Sequence, residues 1–276
     1  MQITDKIKSQ LGNWWEVFLP FIESEKWDSI FNFLKMQSSA RRTIIPVSAD
    51  LFKSFQLCDR HKVKAVIVLM DPYPTLKDGK IIANGIPLDC SNTKAAQPSL
   101  WYWWEGIEKS LGTEKIDPDM WQTTDLAYLL KEEGVLLLNS SLTTEKDKPG
   151  SHATVWKPFM EYFFKVLNEN YKGLPIVLMG AQAQKYEKDI NPMLHYVLKC
   201  EHPVAASYTN RQWDNKDCFN WINNIIKNNN GPSEMISWFK NRSKENTDFP
   251  EWVTSSKPPV KNENSNTGKS DLPWED

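Results

Sequence analysis

Asp71, Tyr73, Asn139 and His202 are residue types that can do chemistry on a small polar ring. A carboxylate facing an imidazole offers acid–base or electrostatic catalysis. A carboxamide adds one donor and one acceptor with which to read the edge of a heterocycle. Each residue also has an ordinary role. An Asp before proline, as in Asp71-Pro72, caps turns, and an Asn closing a strand is a common turn residue. A His before proline, as in His202-Pro203, is often structural. Chemistry follows only if the fold brings these side chains to one place, so the elements that carry them decide the matter.

Three of the four follow apolar runs of strand length. The runs are VKAVIVL (63–69), GVLLLN (134–139), LPIVLMG (174–180) and HYVLKC (195–200). Helix-like segments lie between them at 99–111, 122–133, 156–170 and 181–189, and another follows at 214–227. This alternation predicts an α/β fold, a three-layer α/β/α arrangement around a central four-stranded, mainly parallel sheet. Ligands of such sheets sit at the carboxyl ends of the strands. There the sequence places Asp71-Pro72-Tyr73-Pro74, Asn139-Ser140-Ser141, Gly180-Ala181 and Glu201-His202-Pro203.

Residues 1–40 have apolar side chains at helical spacing, among them Trp14, Trp15, Phe18, Leu19 and Ile22. Ile44-Ile45-Pro46 interrupts that pattern, and 49–58 reads as a short helix. From about Asn228 the composition changes. NNNGPSE (228–234) reads as a linker, and 240–276, rich in Asn, Ser, Lys, Glu and Pro, as a flexible, largely disordered tail. The expected catalytic domain is therefore 1–239. The tail ends in DLPWED, one large aromatic among acids, which suits a peptide that docks on a partner protein.

With 40% hydrophobic and 25% charged residues in 276, the chain can bury a sizeable core. No run of 18 apolar residues is present, so no membrane association is expected. The opening MQITDKIKSQLGNWW has no apolar region followed by a small-residue cleavage site, which predicts a cytoplasmic location, or a host-cell interior for a viral protein. Cys58, Cys90, Cys200 and Cys218 form no C-x-x-C pair, so neither a metal nor another cofactor is expected. Isolated thiols fit a reducing compartment. A net charge of −2 argues against a strong overall positive field, although a local basic strip can still hold phosphates.

The residues around these strand ends resemble a known family, the common uracil-DNA glycosylases. TIIPVSADLFKSFQLCDRHKVKAVIVLMDPYP (43–74) is similar to the family segment that ends in G-Q-D-P-Y-H. GVLLLNSSLT (134–143), KPGSHATVWKPF (148–159), LMGAQAQKY (178–186) and HPVAAS (202–207) resemble the family's later motifs in order and spacing. The likeness covers roughly 10–238, and the DPYP form looks closest to the poxvirus branch. It implies an enzyme that flips a base, most simply uracil, out of single- or double-stranded DNA, hydrolyses its N-glycosidic bond and leaves an abasic site.

Carried over by position, the resemblance implies roles. Asp71 orients water and stabilises the positive sugar. His202 hydrogen-bonds the base O2, Asn139 reads N3–H and O4, and the Met70 backbone amide joins them. Tyr73 walls off C5 against the thymine methyl. Pro46, Ser99 and Ser207 contact the DNA backbone.

The departures fall elsewhere. Leu69-Met70 stand where the family has Gly-Gln, and Leu88 stands where an aromatic stacks on uracil. Ala206 takes the place of the leucine wedge, while Ala181 and Val204 replace phosphate-holding serines. These changes predict weaker uracil stacking and a preference for single-stranded substrate. Two other readings remain open. One is a glycosylase of the same fold that removes a modified pyrimidine, for instance from phage DNA in antiviral defence. The other is a DNA-binding replication-accessory (processivity) subunit.

Overall fold

Continuous burial along a strand requires cover on both faces of its sheet. Ala65–Leu69, Val135–Asn139 and Pro175–Met179 meet that condition at every position. The computed structural model describes residues 3–112, 123–209 and 211–239. Its helices are α1 (Ile3–Leu11), α2 (Trp15–Ile22), α3 (Glu25–Ser39), α4 (Lys53–Leu57), α5 (Pro98–Leu111), α6 (Ala127–Lys131), α7 (Ala153–Asn170), α8 (Ala181–Gln184), α9 (Ala205–Thr209) and α10 (Cys218–Asn230). The strands are β1 (Ile44–Ile45), β2 (Ala65–Leu69), β3 (Leu76–Lys77), β4 (Lys80–Ile81), β5 (Val135–Asn139), β6 (Thr144–Glu145), β7 (Pro175–Met179) and β8 (Tyr196–Cys200).

The central sheet has the order β5-β2-β7-β8, and every pairing in it is parallel. This is the expected three-layer α/β arrangement, with helices covering the sheet. Leu69 pairs with Asn139, and Met179 with Cys200. The residues that follow these ends therefore emerge side by side. β8 is an edge strand and is only partly covered, with Tyr196 exposed. Two short antiparallel pairs, β1 with β6 and β3 with β4, carry the loops above the sheet.

Aromatic residues fill two clusters. Trp14, Phe18, Phe55, Phe159 and Phe163 meet ring to ring where α2, α4 and α7 converge. Trp103, Phe219 and Trp238 form the other, between α5 and α10. The second cluster corrects one sequence expectation. Residues 228–230 are the last turn of α10, not part of a linker, and Ile236 and Trp238 behind them are 4% and 1% exposed. Asn223 fixes this return by accepting from the Ile236 amide at 2.8 Å and donating to its carbonyl at 3.1 Å. The composition of NNNGPSE is that of a linker, but tertiary packing holds it.

Two helix expectations shrink. The segment 122–133 yields only α6, with 122 itself outside the described residues, and 181–189 divides into α8 and a 3-10 turn at Glu187–Asp189. The tail, 240–276, also lies outside the described residues. All four cysteines are free and buried. No helix among the described residues is long and apolar enough to cross a membrane.

Candidate active site

The strand ends open into a cavity of about 780 Å³ lined by Asp71, Tyr73, Asn139 and His202, with Met70 and Leu88 beside them. Asp71 leaves β2 two residues beyond its end. Its Oδ2 accepts the Gly150 amide at 2.6 Å, so the loop before α7 fixes the carboxylate. Burial pushes its pKa up to about 6, and the Gly150 amide and then the Thr144 hydroxyl pull it part of the way back. A carboxylate so placed is poorly solvated and gains from any positive charge that develops near it.

His202 follows β8. Its Nδ1 accepts the Val204 amide at 3.2 Å, which assigns the proton to Nε2 in the neutral ring. Burial holds its pKa down at about 4, so the ring stays neutral across the physiological range. Gly180, at the end of β7, allows this approach. A Cβ there would lie 3.0 Å from the His202 Cβ, and its φ of +83° disfavours side chains independently. The imidazole thus presents a single N–H to the cavity side.

Asn139, the last residue of β5, is 5% exposed. Among the described residues its carboxamide has no hydrogen-bond partner, so donor and acceptor are both available to a ligand. Met70 contributes backbone. Its carbonyl accepts the Ser140 hydroxyl and the Ser141 amide, each at 2.9 Å, which locks the ends of β2 and β5 together.

The opposite wall is built from side-chain hydrogen bonds. Tyr73 shares a 2.6 Å hydrogen bond with Ser99 and donates to the Leu88 carbonyl at 3.4 Å. Leu88 has a φ of +65°, a strained conformation for a leucine. Its neighbour Asp89 holds the turn by accepting the Ser91 and Leu126 amides at 2.8 and 2.7 Å and the Asn84 carboxamide at 2.7 Å. Asp89 is fully buried, so these contacts replace the water it lost.

The structure brings Asp71, Met70, Tyr73, Leu88, Asn139 and His202 to one cavity, and Ser99 as well. Ser99 is 2% exposed and its hydroxyl is engaged by Tyr73, so here it braces the tyrosine. Pro46 is buried and does not line the cavity. Ser207 turns its hydroxyl back onto the Val204 carbonyl at 2.7 Å. Ala206 is the clearest correction. It is fully buried on the inner face of α9, and a methyl group in the core cannot enter a base stack. Among the side chains described on that helix the exposed one is Tyr208, 58% accessible and on the cavity rim. Motif spacing did not single out Tyr208, which lies two residues past the matched position in the run Ala205-Ala206-Ser207-Tyr208. No three His, Cys, Asp or Glu side chains among the described residues group as a metal site.

Comparison with known proteins places this geometry in a family. A sequence model of the uracil DNA glycosylase superfamily matches residues 55–227. A uracil-DNA glycosylase of Acinetobacter baumannii is 31% identical over 248 residues, spanning 86% of this chain and 98% of that protein. One from Pseudomonas paraeruginosa is 32% identical over 206 residues, 74% of this chain and 84% of its own. The crystal structure of mimivirus uracil-DNA glycosylase shares the fold at a TM-score of 0.73 and 24% identity, covering 83% of this chain and 89% of that one. The chain belongs to the uracil-DNA glycosylase superfamily.

Proposed function

We propose that the protein is a DNA glycosylase that flips uracil out of DNA and hydrolyses its N-glycosidic bond. The observation that carries this reading is the pairing of a carboxylate and a neutral, Nε2-protonated imidazole across one cavity, beside an unpartnered carboxamide. Asn139 reads the N3–H and O4 edge of the base. As the C1′–N1 bond lengthens, its electron pair moves to the base and positive charge develops on the sugar. Asp71 stabilises that charge and takes the proton of the water that attacks C1′. The His202 Nε2–H donates to O2 of the departing anion. Both interactions are stronger in the transition state than in the ground state, which is what accelerates the bond-breaking step. Tyr73, pinned by Ser99, fixes the wall against a C5 methyl.

The test is release of uracil from a single-uracil oligonucleotide, read as alkali-labile abasic sites. Asp71→Asn is expected to lose about 10²-fold or more in rate while binding DNA as the wild type does. Undiminished turnover would remove Asp71 from the mechanism.

A second reading, excision of a modified pyrimidine, draws support from one feature. Leu88 offers no π-face, and the cavity of about 780 Å³ has room beside it. The fixed Tyr73 ring weighs against bulk at C5 and favours uracil.

Free, buried cysteines and a DNA substrate support action in the reducing interior of a cell, in the cytoplasm or a host compartment. The tail contributes a docking peptide, DLPWED, for a replication or repair partner; support comes from its composition alone.

A further inference from the structure

A protein of net charge −2 that handles a polyanion must concentrate its cations locally. Several surface cations are already occupied. Arg211 pairs with Glu201 at 2.6 Å, Lys148 with Glu145 at 2.8 Å and Lys199 with Glu187 at 2.7 Å. One region differs. A groove of about 420 Å³ opens next to the cavity, and Gln182 and Lys185 line both.

Three lysines line this groove: Lys157 on α7, Lys185 directly after α8, and Lys188 in the 3-10 turn. Lys185 and Lys188 form no ion pair among the described residues. Lys185 donates to Gln182 at 3.1 Å and keeps its remaining N–H groups free to turn outward. Lys157 reaches Glu161 at 3.8 Å with its side chain 57% exposed, a contact too weak to consume its charge. The Thr154 side chain adds a hydroxyl, while that of Ser140, also in the lining, is committed to the Met70 carbonyl. Asp189 is the one acid in the lining, flanked by Lys188 and Lys157. Ala181 and Val204, in the lining of the neighbouring cavity, offer no hydroxyl, so charge must do more of the holding.

We propose that this lysine groove is a phosphate track that carries the substrate strand on one side of the flipped nucleotide. The inference rests on the glycosylase reading for its ligand and extends the binding surface beyond the base cavity. Ammonium groups on flexible stems suit it, because a track that reads no sequence needs charge more than fixed geometry.

The test compares two single-stranded uracil oligonucleotides, one too short to leave the base cavity and one long enough to fill the groove. In the double variant Lys157→Ala, Lys188→Ala, which spares the cavity-lining Lys185, kcat/KM on the long substrate is expected to fall severalfold at low salt. The short substrate should be cleaved as before. Binding of the long strand should also lose salt dependence, its log–log slope shrinking by about 0.7 per phosphate contact removed. The corresponding double Lys→Arg variant should restore both. Equal activity of wild type and the double Ala variant on the long substrate, with an unchanged slope, overturns the track. If the wild type releases uracil from neither substrate, the glycosylase reading fails, and the salt slope alone then decides whether the groove binds the strand.

Discussion

The two walls of the cavity are held by different forces. On one side, Asp71, Asn139 and His202 stand at or just past the ends of parallel strands, and the sheet register sets their spacing. On the other, Leu88 and Tyr73 depend on side-chain hydrogen bonds from Asp89 and Ser99 within loops. The wall fixed by backbone pairing carries the carboxylate, the carboxamide and the imidazole. A ladder tolerates little displacement of what it carries, whereas a loop can be refitted one residue at a time.

The largest effect expected from that contrast is on pH. In the proposed mechanism base release needs the Asp71 carboxylate, whose pKa burial has pushed up to about 6. Wild-type activity should therefore be flat above that value and fall about tenfold per unit below it. A neutral His202, with its pKa near 4, adds no limb of its own above pH 5. The residual activity of Asp71→Asn should show no limb there. A limb near pH 6 that survived in this variant would assign the titration elsewhere.

The loop wall should fail differently. Asp89→Ala leaves the Ser91 and Leu126 amides and the Asn84 carboxamide without their acceptor. A cost of about 1–3 kcal/mol per buried group left unsatisfied is typical. Thermal unfolding should report that loss, and KM should rise while kcat changes less, because the polar wall stays in register. Equal losses in kcat and KM would show that the two walls are mechanically one.

Smaller changes are expected from recutting the variable surface. Leu88→Phe should raise uracil release severalfold, since a stacked aromatic contributes about 1–3 kcal/mol per base. Loss of the natural activity in that variant would favour the modified-pyrimidine reading. Tyr208→Ala should slow release from duplex more than from single strands, because only the duplex must be held open. A chain ending at residue 239 should cleave naked DNA at the full rate, measured against the 276-residue protein. A large deficit would make the tail part of the enzyme.

The sequence foretold the four sheet strands to within about two residues at each end, because uninterrupted apolar runs of that length have few other uses. The polar residues after them were legible for the same reason. What escaped were features set by tertiary contact. The two-residue pairs β1–β6 and β3–β4 are too short to leave a pattern. Ile236 and Trp238 pack beneath α10 behind a stretch whose composition is that of a linker. On α9, motif spacing picked Ala206, yet the turn of the helix buries it and turns out Tyr208. Spacing locates a segment; which of its side chains meets the ligand depends on the surface against which the segment packs.

The buried cysteines have a practical consequence. Desolvation pushes the Cys58 and Cys90 thiols up to about 12 and Cys218 well above the ordinary thiol value, and the fourth, Cys200, is 3% exposed. Alkylating dyes need an accessible thiolate. The native chain should remain unlabelled by maleimide at neutral pH for as long as it stays folded. A cysteine introduced at Lys188 or Tyr208 would then be the sole reactive handle, with no native thiol removed. A fluorophore at one of these positions would time the arrival of the strand, and at the other the opening of the base pair, in the same otherwise unaltered protein.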